Sequence, residues 1–144
     1  MLTFPWMKTY EPIDHTADVG IRSFGETLEE LFRNAAVGMF DIIADLGTVG
    51  TTATREIRLS ASNLEELYLS WHQELLFRSA VDGVVYKEFI FRDISETTLL
   101  ASVRGEKFNP DKQSLKKEIK AATYHALKVQ KTKEGWVGEI IFDV

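Results

Sequence analysis

Asp14, His15 and Asp18 fall within five residues of one another near the start of the chain, and Asp143 stands one residue from its end. Two carboxylates and an imidazole at this spacing admit three uses. Asp14 or Thr16 can accept hydrogen bonds from nearby backbone amides, which is ordinary turn chemistry for these residue types. Asp18 can join Asp143 and a main-chain or terminal oxygen around a hard cation, because Ca²⁺ and Mg²⁺ take carboxylate, carbonyl and water oxygens. That second use requires the N-terminal and C-terminal strands to be neighbours. His15 can act as an acid or base oriented by an aspartate, although no Ser or Lys at a recognisable nucleophile spacing accompanies it. The residues alone leave all three open.

The chain closes on Ile140, Ile141, Phe142, Asp143 and Val144. Four of these five are apolar, so the strand they form is expected to be central and its end well packed. Chain termini are usually frayed and tolerant. Asp143 therefore either solubilises the terminus or serves a site there.

Other polar groups cluster too. Arg104, Gly105 and Glu106 form a knot at a strand end, and "KAATYH" gathers Lys120, Thr123, Tyr124 and His125. Side chains alternate with period two along a strand, so Lys120, Ala122 and Tyr124 are expected on one face. An ordinary polar outer face accounts for them. His72, beside Trp71, is expected on a helix surface or half-buried. Trp6 and Trp136 are expected to be packing residues, since no basic groove surrounds them.

These groups need a scaffold, and the chain is long enough to build one. Its 144 residues favour one domain, which buries about 68–70% of its unfolded surface. No cysteine is present, which excludes disulfides, thiolate metal sites and a Cys nucleophile. The formal net charge of −5 argues against a protein that grips nucleic acid by itself. No stretch approaches the roughly 18 apolar residues of a membrane span. "MLTFPWMKTYEP" lacks the basic and apolar regions of a signal peptide, with Met7 a possible alternative start. Phosphate-loop, dinucleotide, zinc-protease and serine-hydrolase motifs are absent, so no nucleotide cofactor is expected.

Residues 8–13 and 17–24 read as strands, the second alternating Val19, Ile21, Ser23 against Asp18, Gly20, Arg22. Thr27 with Glu30 forms a capping-box signature. Leu28, Leu31, Phe32, Ala35, Met39, Phe40 and Ile43 then supply one apolar helical face, which should stop near Gly47. Residues 52–60 read as a strand. A second helix is capped by Ser62 or Asn63, buries Leu64, Leu67, Tyr68, Trp71 and Leu75, and stops at Asp82-Gly83. "VVYKEFIFRDI", "TLLASVRGEKF", "KAATYHALKVQKT" and "GWVGEIIFDV" read as four more strands, with "NPDKQSLKK" a polar loop and "KEGW" a hairpin turn. The expected fold is α+β, with six to seven strands in mixed, mostly antiparallel sheets and two main helices covering one side.

Several of these stretches also match a pattern. "DHTADVGIRSFGETLEELFRNAAVGMFDII", "RGEKF", "KEIKAATYHALKV" and the terminal "GWVGEIIFDV" resemble the signatures of the archease family, in the same order. The resemblance runs from about Lys8 to Val144. It implies a single archease-like domain over 1–144, with residues 1–7 a flexible N-terminal extension. It implies a cytoplasmic, non-catalytic accessory protein of tRNA splicing. Such a protein promotes guanylylation and repeated turnover of an RtcB-type RNA ligase and meets tRNA only indirectly. The alternative it implies is a chaperone or specificity modulator of a tRNA methyltransferase. It also implies a divalent-cation site, usually assigned to calcium and open to magnesium, built from Asp18, Asp143 and the Val144 main chain. Asp14, His15 and Lys120 become candidates for supporting that site or contacting the partner.

Overall fold

The computed structural model describes residues 9–15 and 18–144, with the backbone alone for Asp14 and His15. In chain order the elements are β1 (Tyr10–His15), β2 (Asp18–Gly25), α1 (Leu28–Ile43), a short 3-10 turn (Leu46–Thr48), β3 (Ala53–Ser60), α2 (Leu64–Asp82), β4 (Val84–Ile94), β5 (Thr98–Lys107), β6 (Ala121–Thr132) and β7 (Gly135–Asp143). The strands form a four-stranded sheet in the order β1-β2-β7-β6 and a three-stranded sheet in the order β3-β5-β4. Every strand pairing among the described residues is antiparallel. The expected Trp6 and the residue 1–7 extension lie outside the described residues.

Helix α1 starts where its sequence places it. Thr27 Oγ1 accepts a hydrogen bond from the Glu30 amide at 3.1 Å, and Glu29 and Glu30 favour the positive end of the helix dipole. The helix ends at Ile43, four residues before Gly47. The Ala44 amide bonds back to the Phe40 carbonyl, while Ala44 itself is already extended and bridges Leu115. Helix α2 is capped by Asn63, whose Oδ1 accepts from the Glu66 amide at 2.9 Å. It stops at Gly83, which adopts φ +67°. That left-handed conformation is the usual reason for glycine after a helix.

The core shows why one apolar stripe was too narrow a description. Leu31, Phe32, Ala35, Ala36, Gly38, Met39 and Phe40 of α1 are all buried. At 100° per residue they cover more than half of the helix circumference. Gly38 rests against Tyr10 and Ile21 of the larger sheet. Phe32 and Phe40 meet Phe91 and Phe89 of β4 in the smaller one. Helix α2 is shared in the same way. Trp71 packs on Phe91 with ring centroids 5.0 Å apart, and His72 packs on Phe142 of β7 at 6.0 Å. The two helices thus join the two sheets of the expected α+β fold. The Trp71 indole N–H donates to the Phe32 carbonyl at 3.0 Å, which satisfies its one polar atom inside the core.

The segment after β5 is more than a polar loop. Gln113 is buried, and its amide donates to Glu106 at 2.7 Å. The Lys116 amide donates to the Ile43 carbonyl at 2.7 Å, capping α1 from outside. The polar knot at Arg104, Gly105 and Glu106 is centred on Glu106. Its carboxylate also takes the Gly50 amide and the Lys112 ammonium, both at 2.9 Å. These donors, Lys112 first, hold the carboxyl below its ordinary pKa.

Tyr68 of α2 lies across Gly138 of β7. A Cβ built on Gly138 would stand 2.6 Å from the phenol oxygen and 2.7 Å from the ring carbon that bears it. The ring is fully buried and has nowhere to go. Gly138→Ala should therefore lower unfolding stability by about 1–3 kcal/mol, the usual cost of overpacking a filled core. Urea unfolding followed by circular dichroism reads this directly; a midpoint shift below experimental error would show that α2 can slide off β7 freely.

Candidate functional site

The last ladder pair of β2 with β7 is Val19↔Phe142. One further step along the same register sets Asp18 against Asp143. Residues directly opposite in an antiparallel pair project to the same face, so these two carboxylates share a side of the sheet. β7 lies between β2 and β6, so the strand that ends the chain is central, as its apolar run suggested. Phe142 and Ile141 behind Asp143 are buried, which fixes the strand end. Asp143 is exposed, while Asp18 and Val144 are half-buried.

The surrounding main chain adds oxygen donors. The Asp143 carbonyl already accepts the Lys120 amide at 2.8 Å, which places the entry to β6 against the strand end. β1 contributes from the other side, where His15 and Asp18 are backbone partners. The side chains of Asp14 and His15, and Thr16 entirely, lie outside the described residues. So the turn and acid–base uses of this cluster are not described by the structure. Among the described residues no group of three or more His, Cys, Asp or Glu side chains could hold a metal. Asp18 and Asp143 are therefore a two-carboxylate set that main-chain or solvent oxygens would have to complete. Such an all-oxygen set suits a hard cation.

Lys120 is exposed and lies immediately before β6. The expectation that Lys120, Ala122 and Tyr124 share a face fails. Ala122 is 4% exposed and Tyr124 is 75% exposed. The register explains it, because Thr123 pairs with Ile141 but the next pair is Lys128 with Glu139. Four residues, 124–127, stand opposite Ile140 alone. This wide bulge breaks the period-two alternation, and Ala126 sits within it at φ +54°. Trp136 is half-buried and carries Lys131 over its ring at 5.7 Å, in keeping with a packing role.

His72 is not a surface histidine. It is fully buried, and its Nδ1 lies 2.8 Å from the Tyr68 carbonyl. A carbonyl can only accept, so Nδ1 carries the proton and Nε2 is left without a hydrogen-bond partner. Burial pushes the imidazole pKa down to about 4. The Tyr68 and Ala35 carbonyls pull weakly the other way, the latter without a hydrogen bond to Nε2. The Tyr68 phenol is likewise raised by burial. Its oxygen and Ser23 Oγ are both buried without a hydrogen-bond partner, although Ser23 is near enough to favour the phenolate slightly. Sequence reasoning did not single out Ser23 or the hydroxyl of Tyr68. The available signal was Gly138, the register partner of Ser23, because a glycine inside a strand often marks a close approach.

With this geometry in view, comparisons with known proteins give the relationship. The model of the Archease protein family (MTH1598/TM1083) matches residues 10–144. The chain belongs to the Archease family. It is 38% identical over 141 residues to the protein archease of Methanosarcina acetivorans, covering 95% of this chain and 97% of that one. It is 36% identical over 143 residues to the protein archease of Pyrococcus abyssi, covering 96% and 100%. Among solved structures, the solution structure of Protein 1598 from Methanobacterium thermoautotrophicum superposes with a TM-score of 0.81 at 27% identity, covering 96% and 100%. A crystal structure from Thermotoga maritima, described as an archease and possible chaperone, matches with a TM-score of 0.66 at 21% identity, covering 93% and 96%. The two-sheet, two-helix architecture is that of these archease structures.

His72 makes stability pH-dependent. The unfolded imidazole titrates near 6.5 and the folded one near 4. Below pH 6.5 the unfolded chain binds a proton that the folded chain refuses. Stability from this group is thus complete above pH 6.5 and lost as pH falls toward 4, by about 3 kcal/mol in all. Urea midpoints measured between pH 7 and pH 4 should fall more steeply for wild type than for His72→Phe. Parallel curves would mean that His72 is already charged in the fold or is reached by water.

Proposed function

We propose that this protein is a non-catalytic accessory factor in tRNA splicing and RNA ligation. On this reading it activates an RtcB-type RNA ligase by promoting guanylylation and repeated turnover. One observation carries the reading: in an Archease-family chain, the β2–β7 register brings Asp18 and Asp143 together at a rigid, accessible strand end. Two carboxylates held this way bind a cation without supplying a nucleophile, which suits a helper better than an enzyme.

Asp18, Asp143 and the Val144 main chain would hold a divalent cation, calcium in the first place and magnesium in the second. Bound there, the cation neutralises two like charges and ties the ends of β2 and β7 together. Asp14, His15 and Lys120 border the same strand ends and are the residues through which the ligase would read the site. The protein would need no nucleotide cofactor of its own and would act in the cytoplasm. No described helix is long and apolar enough to cross a membrane.

A second reading is favoured by a separate observation. The Thermotoga maritima relative is described as a possible chaperone. Here Phe77 and Val81, one turn apart on α2, are 55% and 61% exposed. An apolar helix face of that kind suits a chaperone or specificity modulator of a tRNA methyltransferase.

The deciding experiment is a ligation time course with substoichiometric RtcB-type ligase, broken tRNA, GTP and divalent metal. Wild type should convert a single turnover into many. Asp18→Ala and Asp143→Ala, folded by circular dichroism, should lose at least tenfold of that stimulation. No stimulation by wild type would turn attention to the methyltransferase, and full stimulation by both variants would remove the carboxylates from the mechanism. In a separate melt, calcium should raise the unfolding temperature of wild type alone. The stabilisation should be about 2.7 kcal/mol when calcium is a hundredfold above its dissociation constant. An equal rise in Asp18→Asn and Asp143→Asn would place the cation elsewhere.

A further inference from the structure

A sheet edge offers a row of unpaired backbone N–H and C=O groups, and folded proteins blunt such edges with proline, lysine, bulges or short strands. Among the described residues the edge strands are β1 and β6 on the larger sheet and β3 and β4 on the smaller. Three of them carry a device. β1 has Pro12 near its middle, which cannot donate to a neighbour. β6 bulges at 124–127 and carries Lys128 and Lys131. β4 breaks register twice, between Tyr86 and Glu88 and between Phe91 and Asp93. β3 carries none of these. Its eight residues include no proline, lysine or glycine, and they pair with β5 without a register shift. No other described strand pairs with it.

The two faces of β3 differ. The inner face packs on α2, where Ile57 is buried and the Arg55 guanidinium donates to Asp82 at 2.7 Å. The outer face presents Thr54, Glu56, Arg58 and Ser60, all exposed. Glu56 meets Arg92 of its own chain at 3.8 Å, with both side chains still mostly in solvent. Arg58 makes no ion pair among the described residues.

This outer row is self-complementary. A two-fold axis at Ile57 would lay the β3 of a second copy antiparallel to the first. Glu56 then faces Arg58 of the second copy, Arg58 faces its Glu56, and Thr54 and Ser60 face each other. Directly opposite Cβ atoms stand about 4.5–5.5 Å apart, whereas the like-charge diagonals are about 7–8 Å. On the inner face Arg55, its charge already held by Asp82, meets Leu59. A two-fold axis through the sheet keeps like face beside like face, so the register slips only in steps of two residues. The neighbouring registers set Glu56 on Glu56 or Arg58 on Arg58. Charge therefore selects one alignment.

We propose that two copies of this chain associate through β3, antiparallel and centred on Ile57, joining their smaller sheets into one sheet of six strands. A strand of another protein would satisfy the same backbone groups, but the self-complementary charges favour a second copy. Asp18 and Asp143 end strands of the larger sheet, so the shared edge uses none of the residues of the proposed site.

The test is sedimentation equilibrium of the full chain over a concentration series, with every variant checked by circular dichroism. Wild type should move from one chain mass toward two as concentration rises. Arg58→Glu and Glu56→Arg each turn two attractive cross-strand pairs into two repulsive ones, so each should weaken association about tenfold or more. The first variant makes the chain more acidic and the second less, so an effect of net charge alone would move them in opposite directions. An equal mixture of the two variants should associate about as tightly as wild type, because the heterodimer restores both opposite-charge pairs. Lys133→Glu, in the β6–β7 turn of the other sheet, should change nothing. Wild type that stays monomeric at every concentration would leave the edge to a strand of another protein and overturn the proposal. Dimers indifferent to both charge variants, or a mixture that fails to associate, would overturn it as well. The measurement involves no ligase, so this inference and the accessory-factor reading can fail separately.

Discussion

The antiparallel ladder of β2 with β7 joins the two ends of the chain, and nearly everything else in the molecule leans on it. Arg22 and Glu139, bonded across that ladder, are 117 residues apart in sequence. Closing a loop of that length costs about 4 kcal/mol in chain entropy on the logarithmic scale. The return is the burial of Ile140, Ile141 and Phe142, each at about 1.5–3 kcal/mol. The apolar run at the end of the chain is thus the thermodynamic reason that the terminus is ordered. It is also why a carboxylate can be held at a defined place one residue from the end. Arg22 reinforces the ladder by bonding Glu11 on β1 and Glu139 on β7, at 2.7 and 2.6 Å. These half-buried, still solvent-screened pairs add little energy singly, but they fix three strands in one register.

The same ladder explains the polar atoms in the core. Helix α2 lies on β7 through Tyr68 over Gly138 and His72 against Phe142. The Tyr68 hydroxyl, Ser23 Oγ and His72 Nε2 have no hydrogen-bond partner there. Each such atom costs about 1–3 kcal/mol, so this helix–strand contact is less stable than an all-apolar one of equal size. It lies directly behind the strand end that carries Asp143. The scaffold under the site therefore responds to pH, because protonating His72 is incompatible with its position.

Charge follows a similar logic of placement over total. The acids outnumber the bases, and most arginines before residue 104 are held in ion pairs on the sheets and helices. The connection between β5 and β6 has another constraint. It must cap α1 through Lys116 and anchor on Glu106 through Lys112 and Gln113. Its remaining cations are exposed, and Lys120 among them sits against Asp143 through its backbone amide. A partner approaching this edge meets both signs of charge within one region.

Local elements were legible in the sequence because their causes are local. The Thr27 cap, the Asn63 cap, the Asp82-Gly83 stop, the apolar helical periods and all seven strands follow from neighbouring residues, and the structure moves their boundaries by only a few positions. The central position of the last strand was legible as well, from four apolar residues in its final five. The long ordered motifs around Asp18 and Asp143 carried the family. What the sequence left open depends on contacts between distant residues. Alternation along β6 failed because three extra residues bulge against β7, and a bulge is a property of two strands. His72 is buried because α2 is shared by two sheets, and a helical period does not tell how many sides are covered. The meeting of Asp18 with Asp143 was a condition in the sequence and a fact only in the fold, since register between strands so far apart is decided by the core that closes over them.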